Sequence, residues 1–144
     1  MRATGRRQFV IAVLASFASA HAAAHDQVVD LFAAMSAALS TLNPDGFLVH
    51  IDKDSPDRDH LANSIPELLS QGDVSSSIEF VSDDGDDAKR TVKLDWYLEI
   101  KAAAPVGPLI QRRKIVTCQL EKKNNKWLVE TLSPLSLFDP ISFT

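Results

Sequence analysis

The sequence predicts an α+β fold: a helical first half laid on a curved, four-stranded antiparallel sheet. Three observations carry this. Apolar residues recur at three and four positions over Asp26–Leu42 and again over Asp59–Gln71, the spacing of helices that bury one stripe. From Val74 the period drops to two, as in a strand with one buried face. The strand-like runs follow one another across short polar turns, with no helical pattern between them, so they pair as antiparallel hairpins.

The first helix, Asp26 to Leu42, places Val28, Leu31, Phe32, Met35, Leu39 and Leu42 on one side. Asp26 caps its start and Asn43-Pro44-Asp45-Gly46 stops it. Phe47 to Ile51 reads as a short second helix, and Asp52 to Asp59, polar and broken by Pro56, as a solvated loop. The third helix, Asp59 to Gln71, carries Leu61, Ile65, Leu68 and Leu69 on one side. Pro66 within it predicts a kink, or a restart capped by Ser64. Ile78 and Phe80 alternate in a first strand, and Ser82 to Asp87 forms the turn that follows. Lys89 to Lys101 is the clearest strand: Val92, Leu94, Trp96, Leu98 and Ile100 face inward, and Lys93, Asp95, Tyr97, Glu99 and Lys101 outward. A third strand runs from Leu109 to Lys122, and a tight Asn124-Asn125 turn leads to a fourth, Lys126 to Leu132. The tail from Ser133 is broken by prolines yet apolar, with Leu135, Leu137, Phe138, Ile141 and Phe143.

The N-terminus has a different character. Arg2, Arg6 and Arg7 precede the apolar run Phe9–Ala18, and small residues follow it. That order predicts a signal peptide over residues 1–24, with cleavage after Ala20, Ala22 or Ala24, and a single domain over 25–144. The apolar run is shorter than the roughly 20 residues that span a bilayer. Arg6-Arg7-Gln8-Phe9-Val10 resembles a twin-arginine export signal, an ordinary signal peptide being the alternative. Either route predicts a periplasmic or secreted protein. All 19 acidic residues but only 12 of the 15 basic ones lie beyond residue 24, so the mature chain carries −7. That charge argues against nucleic acid and anionic membrane as partners. Cys118, the only cysteine, is in phase with Val116 and Leu120 and reads as a buried thiol.

Three helices followed by long hairpins resemble the nuclear transport factor 2-like superfamily, with its ketosteroid-isomerase-like and polyketide-cyclase-like members. The resemblance rests on Asp26–Leu42 with Phe32 and Met35, on the strand Val92–Ile100, and on the closing Lys126-Trp127-Leu128-Val129-Glu130. It implies a cystatin-like cone with a pocket between the helices and the concave sheet face. It also implies, in enzymes, an acid with His, Tyr or Arg inside the cone, and an outer sheet face that often forms a homodimer.

On the clearest strand no acid is in phase with that interior, so catalytic residues remain unassigned. Trp96 and Leu98 are candidates for the wall of a pocket that takes a small apolar ligand. Arg112 and Lys114 share parity with Val116 and Cys118 and are aimed at the mouth, where they suit a carboxylate; the alternative turns them to solvent. His50 is placed inward on the short helix, as a general base or as a packed side chain. No metal and no cofactor are expected. The Asp-rich stretch His50–His60 lacks the glycine and terminal glutamate of an EF-hand. Cleavage after Ala22 would leave Ala23-Ala24-His25, whose amine, amides and imidazole can hold Cu(II). Three functions stay open: a non-catalytic exported domain that binds an apolar ligand or partner segment in its cone, an isomerase- or cyclase-type enzyme with His50 as base, and an interaction or dimerisation module with a filled cone.

Overall fold

The structure is a computed structural model that describes residues 22–103 and 107–142. The arginine pair and the apolar run of the expected signal peptide lie outside the described residues. Among those described, no helix is long and apolar enough to cross a membrane.

Helix α1 covers residues 22–40 and buries Ala24, Val28, Leu31, Phe32, Met35, Ala38 and Leu39. It starts upstream of Asp26, which is therefore an exposed residue within the helix rather than its cap. Its end corrects the expected stripe. Leu42 has φ 56°, its N–H bonds to the Leu39 carbonyl, and the N–H of Asn43 bonds to the Ala38 carbonyl. This paired closure puts a residue of left-handed conformation just past the helix, so Leu42 turns away from the core and is 42% exposed. Asn43-Pro44 is both a stop and a start. The Asn43 side chain accepts from the Gly46 N–H and Pro44 opens helix α2, Pro44–Leu48, three residues earlier than the apolar pattern suggested. A proline in the first turn costs no hydrogen bond. Helix α3, Arg58–Ser70, runs continuously through Pro66 with no restart at Ser64. The carbonyl freed by the proline belongs to Ala62 on the exposed face, where water can satisfy it.

The sheet is a meander of order β1-β2-β3-β4, antiparallel throughout: β1 Gly72–Gly85, β2 Lys89–Ala102, β3 Leu109–Lys123 and β4 Lys126–Ser133. Val92, Leu94, Trp96, Leu98 and Ile100 are completely buried. Asn124 and Asn125, at φ 53° and 63°, make the expected two-residue turn. Two irregularities reset the faces. Between Phe80 and Ser82 the register of β1 slips by one residue, leaving Val81 57% exposed and giving Asp83 the inward parity of Val92. The strand therefore continues to Gly85, and the acidic run read as a turn is mostly strand. Between Gln119 and Leu120 a second slip opposes β4. Glu130 is the extra residue, and through it Val129 and Leu132 both reach the core.

The β4 edge is covered and the β1 edge is met at Ser76. On β1, the Ser40 hydroxyl accepts from the Ser76 N–H, and the Ser36 hydroxyl lies 3.1 Å from the Ser76 carbonyl. On β4, the chain after α2 forms a parallel bridge between Ile51 and Val129. Ser55 then donates to the Glu130 carbonyl and Asp57 accepts from the Leu132 N–H. The expected solvated loop is thus partly buried, with Asp52 4% and Ser55 8% exposed, because the edge of β4 needs its polar groups. A 3₁₀ turn, Leu135–Phe138, folds the tail back under the helices.

Replacing Leu42 with glycine removes the steric penalty of the left-handed backbone, about 1 kcal/mol. Leu42→Gly is expected to raise the melting temperature by a few degrees in a calorimetric scan, whereas Leu42→Val lowers it.

Candidate functional site

The cone interior is the natural place to look first. Trp96 is fully buried at its centre and meets rings from three elements. Centroids lie 6.3 Å from Phe32, 6.3 Å from Phe47 and 5.1 Å from Phe138, within the range of favourable aromatic pairs. The indole N–H donates to the Ser76 hydroxyl at 2.8 Å, which lies 2.7 Å from that of Ser36. Leu98 is equally buried. Four surface clefts of about 370–500 Å³ have neither Trp96 nor Leu98 in their lining. Both side chains are surrounded by the chain's own core.

At the mouth, β3 is unbulged, and Arg112 and Lys114 pair with Leu98 and Trp96, the inward parity the sequence implied. Their fates differ. Lys114 is exposed. Arg112 is half-buried and its guanidinium donates to the carbonyls of Leu137 at 3.0 Å, Asp139 at 2.5 Å and Pro140 at 3.5 Å. Burial lowers its pKa, against the opposing charge of Asp139, yet it stays a cation. Gln71, at the end of α3, grips the same tail. Its amide oxygen accepts from the Ile141 N–H at 2.6 Å, and its amide nitrogen donates to the Ile141 carbonyl at 3.2 Å.

His50 follows α2 rather than lying on it, and it lines an outer cleft of about 490 Å³ with Leu31, Val49, Trp127, Leu128 and Asp30. Burial lowers its pKa, so its imidazole is neutral near pH 7. The structure brings it near neither Arg112 nor Trp96 in any hydrogen bond or ring contact.

Two charged clusters were not legible beforehand. At the tip of the first hairpin, Asp83 and Arg90 form a pair with side chains 5% and 8% exposed, at 2.6 Å. The second Asp83 oxygen lies 2.5 Å from Nδ1 of His25, whose ring packs edge-on to Phe80. That carboxylate holds the nitrogen that a copper site at Ala23-Ala24-His25 would use. Among the described residues, no group of three metal-ligating side chains converges. At the second slip, Lys123 lies 2.6 Å from Asp52 and 3.4 Å from Glu130. Lys123 and the Asp54 N–H hold the Asp52 carboxyl down to about 2. Burial, and then the shared proton and charge of Asp52, push Glu130 up. A strand-sequence reading assigns these residues to turn, loop and strand end; the register slips place Asp83 and Glu130, and the bridge of Ile51 to Val129 places Asp52. Cys118 is fully buried, and burial pushes its thiol up to about 12, which leaves it unreactive.

The Asp52 carboxyl titrates lower in the folded chain than in the unfolded one, near 4. Its contribution is complete above that value and is lost as pH falls toward about 2. Lys123→Met is therefore expected to lower the melting temperature by several degrees at pH 7. The difference from the parent chain should shrink as pH falls below about 4 and vanish only once pH has fallen through about 2 in a thermal-melt series.

No family model matches the chain, and no curated protein matches it. Solved structures do. A candidate scytalone dehydratase from Novosphingobium aromaticivorans DSM 12444 superposes at TM-score 0.70 and 11% identity, over 80% of this chain and 85% of that one. A candidate dehydratase of the nuclear transport factor 2-like family from Streptomyces avermitilis gives 0.64 and 11%, over 76% and 93%. A hexachlorocyclohexane dehydrochlorinase gives 0.65 and 12%, over 78% and 84%. Identities this low carry architecture and not chemistry. The helices on a curved meander, the interior centred on Trp96 and these superpositions agree on one statement: the chain has the nuclear transport factor 2-like fold.

Proposed function

We propose that this protein is an exported, non-catalytic interaction module that dimerises through the outer face of its sheet and keeps its cone closed with its own C-terminal segment. The observation that carries this reading is Phe138, completely buried against Trp96 and Phe47 while Arg112 binds the carbonyls around it. In a cone filled in this way Trp96 and Leu98 are fully buried and the Arg112 guanidinium is engaged by the tail carbonyls, which favours a filled cone over one that takes a small apolar ligand. The outer face has the character of an interface. Ile115 is 51% exposed between charged neighbours, with Asp95 and Arg113 in a two-pronged pair at 2.9 and 2.6 Å. Tyr97, Glu79 and Ser77 border the same shallow cleft. Aromatic and aliphatic groups ringed by paired charges suit a self-complementary contact.

Export is supported by the sequence of the first 24 residues. Residues 22–24 are already helical, with Ala24 buried, which favours cleavage after Ala20 over cleavage after Ala24. Mass spectrometry of protein from the export compartment tests both parts. The denatured mass is expected to begin at His21, and the native mass to be twice the subunit. Ile115→Glu is expected to give a folded monomer; a monomeric parent chain, or a dimeric Ile115→Glu variant, would end the outer-face reading.

One observation favours a second reading, a small isomerase- or cyclase-type enzyme with His50 as base: the neutral imidazole sits in an apolar-walled cleft with Asp30 on its rim. Proton NMR tests it. Titrating hydrophobic carbonyl compounds should move the His50 ring signals if this cleft takes substrate, and unmoved signals across such a panel remove the role.

A further inference from the structure

We infer that the mouth of the cone is a peptide-binding site that recognises by its main chain a segment leaving a short 3₁₀ turn, and that residues 134–142 are its occupant in cis. This deepens the interaction-module reading and rests on it. Ordinary core packing of a chain end needs only apolar contacts. Here two side chains from separate elements are committed to backbone atoms. Arg112 of β3 donates to three successive regions of carbonyl, at Leu137, Asp139 and Pro140. Gln71 at the end of α3 takes both the N–H and the carbonyl of Ile141, as a neighbouring strand would. Between them Asp139 is extended, at φ −68° and ψ 148°. Pro134 and Pro140 bring no N–H to this segment, which suits a site whose main donor is a guanidinium fork. Selectivity comes from two apolar seats. Phe138 enters the space between Phe47 and Trp96, and Ile141, three residues later, is 8% exposed.

Such a site reads an aromatic residue at the end of a 3₁₀ turn, followed three positions on by an aliphatic one. The segment known to satisfy it is this chain's own, so the occupant in trans is the same segment from a second copy, exchanged at the mouth. The elements that grip the tail are complete without it: Arg112 and Gln71 belong to β3 and to the cap of α3.

The test uses the wild-type chain and a synthetic peptide with the sequence of residues 134–144. A tethered segment competes at an effective concentration of about a millimolar, so peptide is added at several millimolar and hydrogen exchange is followed by mass spectrometry. Exchange in the chain's own 134–142 segment is expected to rise at least threefold, with β2 and β3 unchanged. A peptide with alanine in place of the phenylalanine corresponding to Phe138 should leave it unaltered. In the absence of peptide, Arg112→Lys, which loses the fork, should speed exchange in that segment about tenfold and spare β2. An unchanged rate with the parent peptide, or an equal rise with both peptides, overturns the inference. So does exchange of the segment only at the rate of the β2 core, because the tail would then be inseparable from the fold. The outer face is read independently by subunit number. Loss of dimerisation with displacement intact removes the outer-face reading alone; dimerisation without displacement removes the mouth site alone.

Discussion

The indole of Trp96 must be covered on both faces and its N–H must find an acceptor, and the order of the elements follows from meeting those needs. A large aromatic buried without a partner for its polar atom pays an unmade hydrogen bond of roughly 1–3 kcal/mol. Ser76 on the neighbouring strand supplies the acceptor, and Ser36 lies within hydrogen-bond distance of that same hydroxyl, tying α1 to β1 at the level of the tryptophan. Phe32 comes from α1, Phe47 from α2 and Phe138 from the tail. Each of those elements has other reasons to form, but the angle at which each meets the sheet is set where its ring meets the indole. Truncating any member of such a cluster typically costs about 3–5 kcal/mol, a large share of the stability of a domain this size.

The sheet could be read from sequence because a face buried on one side writes itself as strict alternation, and β2 has no interruption to blur it: all its inward residues from Val92 to Ile100 are fully buried. What could not be read was every place where one residue is added. Val81 and Glu130 are ordinary residues for a strand, and neither glycine nor proline marks the slip. One extra residue exchanges the two faces for all that follows. Asp83, which looks like a solvated turn, therefore arrives in the interior beside Arg90, and Glu130 arrives beside Asp52. The helices were read well in their middles and badly at their ends. Leu42 belongs to the apolar stripe by spacing, but the closure at Ala38 and Leu39 decides its backbone. Likewise Pro44 is at once a breaker of one helix and a good first residue for the next. At the candidate site the parity of Arg112 was visible, but its partners lie 25 to 28 residues further along the chain, a distance over which periodicity carries no information.

Two clusters of partly or fully buried charge sit where a strand has been forced off its pattern. The two inward acids produced by the slips each face a cation: Asp83 faces Arg90, and the Asp52–Glu130 pair faces Lys123. Lys123 and the Asp54 N–H hold Asp52 low, while burial first and then the neighbouring Asp52 push Glu130 high. The cost is accepted because the slip at Glu130 lets Val129 and Leu132 both face inward, and because Asp52 belongs to the segment that covers the β4 edge. Polar cost at one residue is exchanged for apolar burial at two and for an edge that cannot pair with another chain.

A cone formed by helices over a concave sheet encloses a volume that something must fill, since an apolar space of that kind left empty forfeits the contacts of every atom lining it. A protein with such a cone can fill it with water and substrate, which requires polar groups placed inside to satisfy them, or with its own side chains, which requires none. Here the inward residues of β2 from Val92 to Ile100 are uniformly apolar, and the Trp96 N–H among them is met by the Ser76 hydroxyl. The chain has taken the second course in its walls. It then places Arg112 at the mouth, where among the described residues its guanidinium donates to the carbonyls of the tail. A guanidinium is costly to bury for packing alone. Its presence at that position is accounted for if what it holds is a segment that must be gripped by its backbone, and this separates a wall built for permanence from a mouth built for recognition.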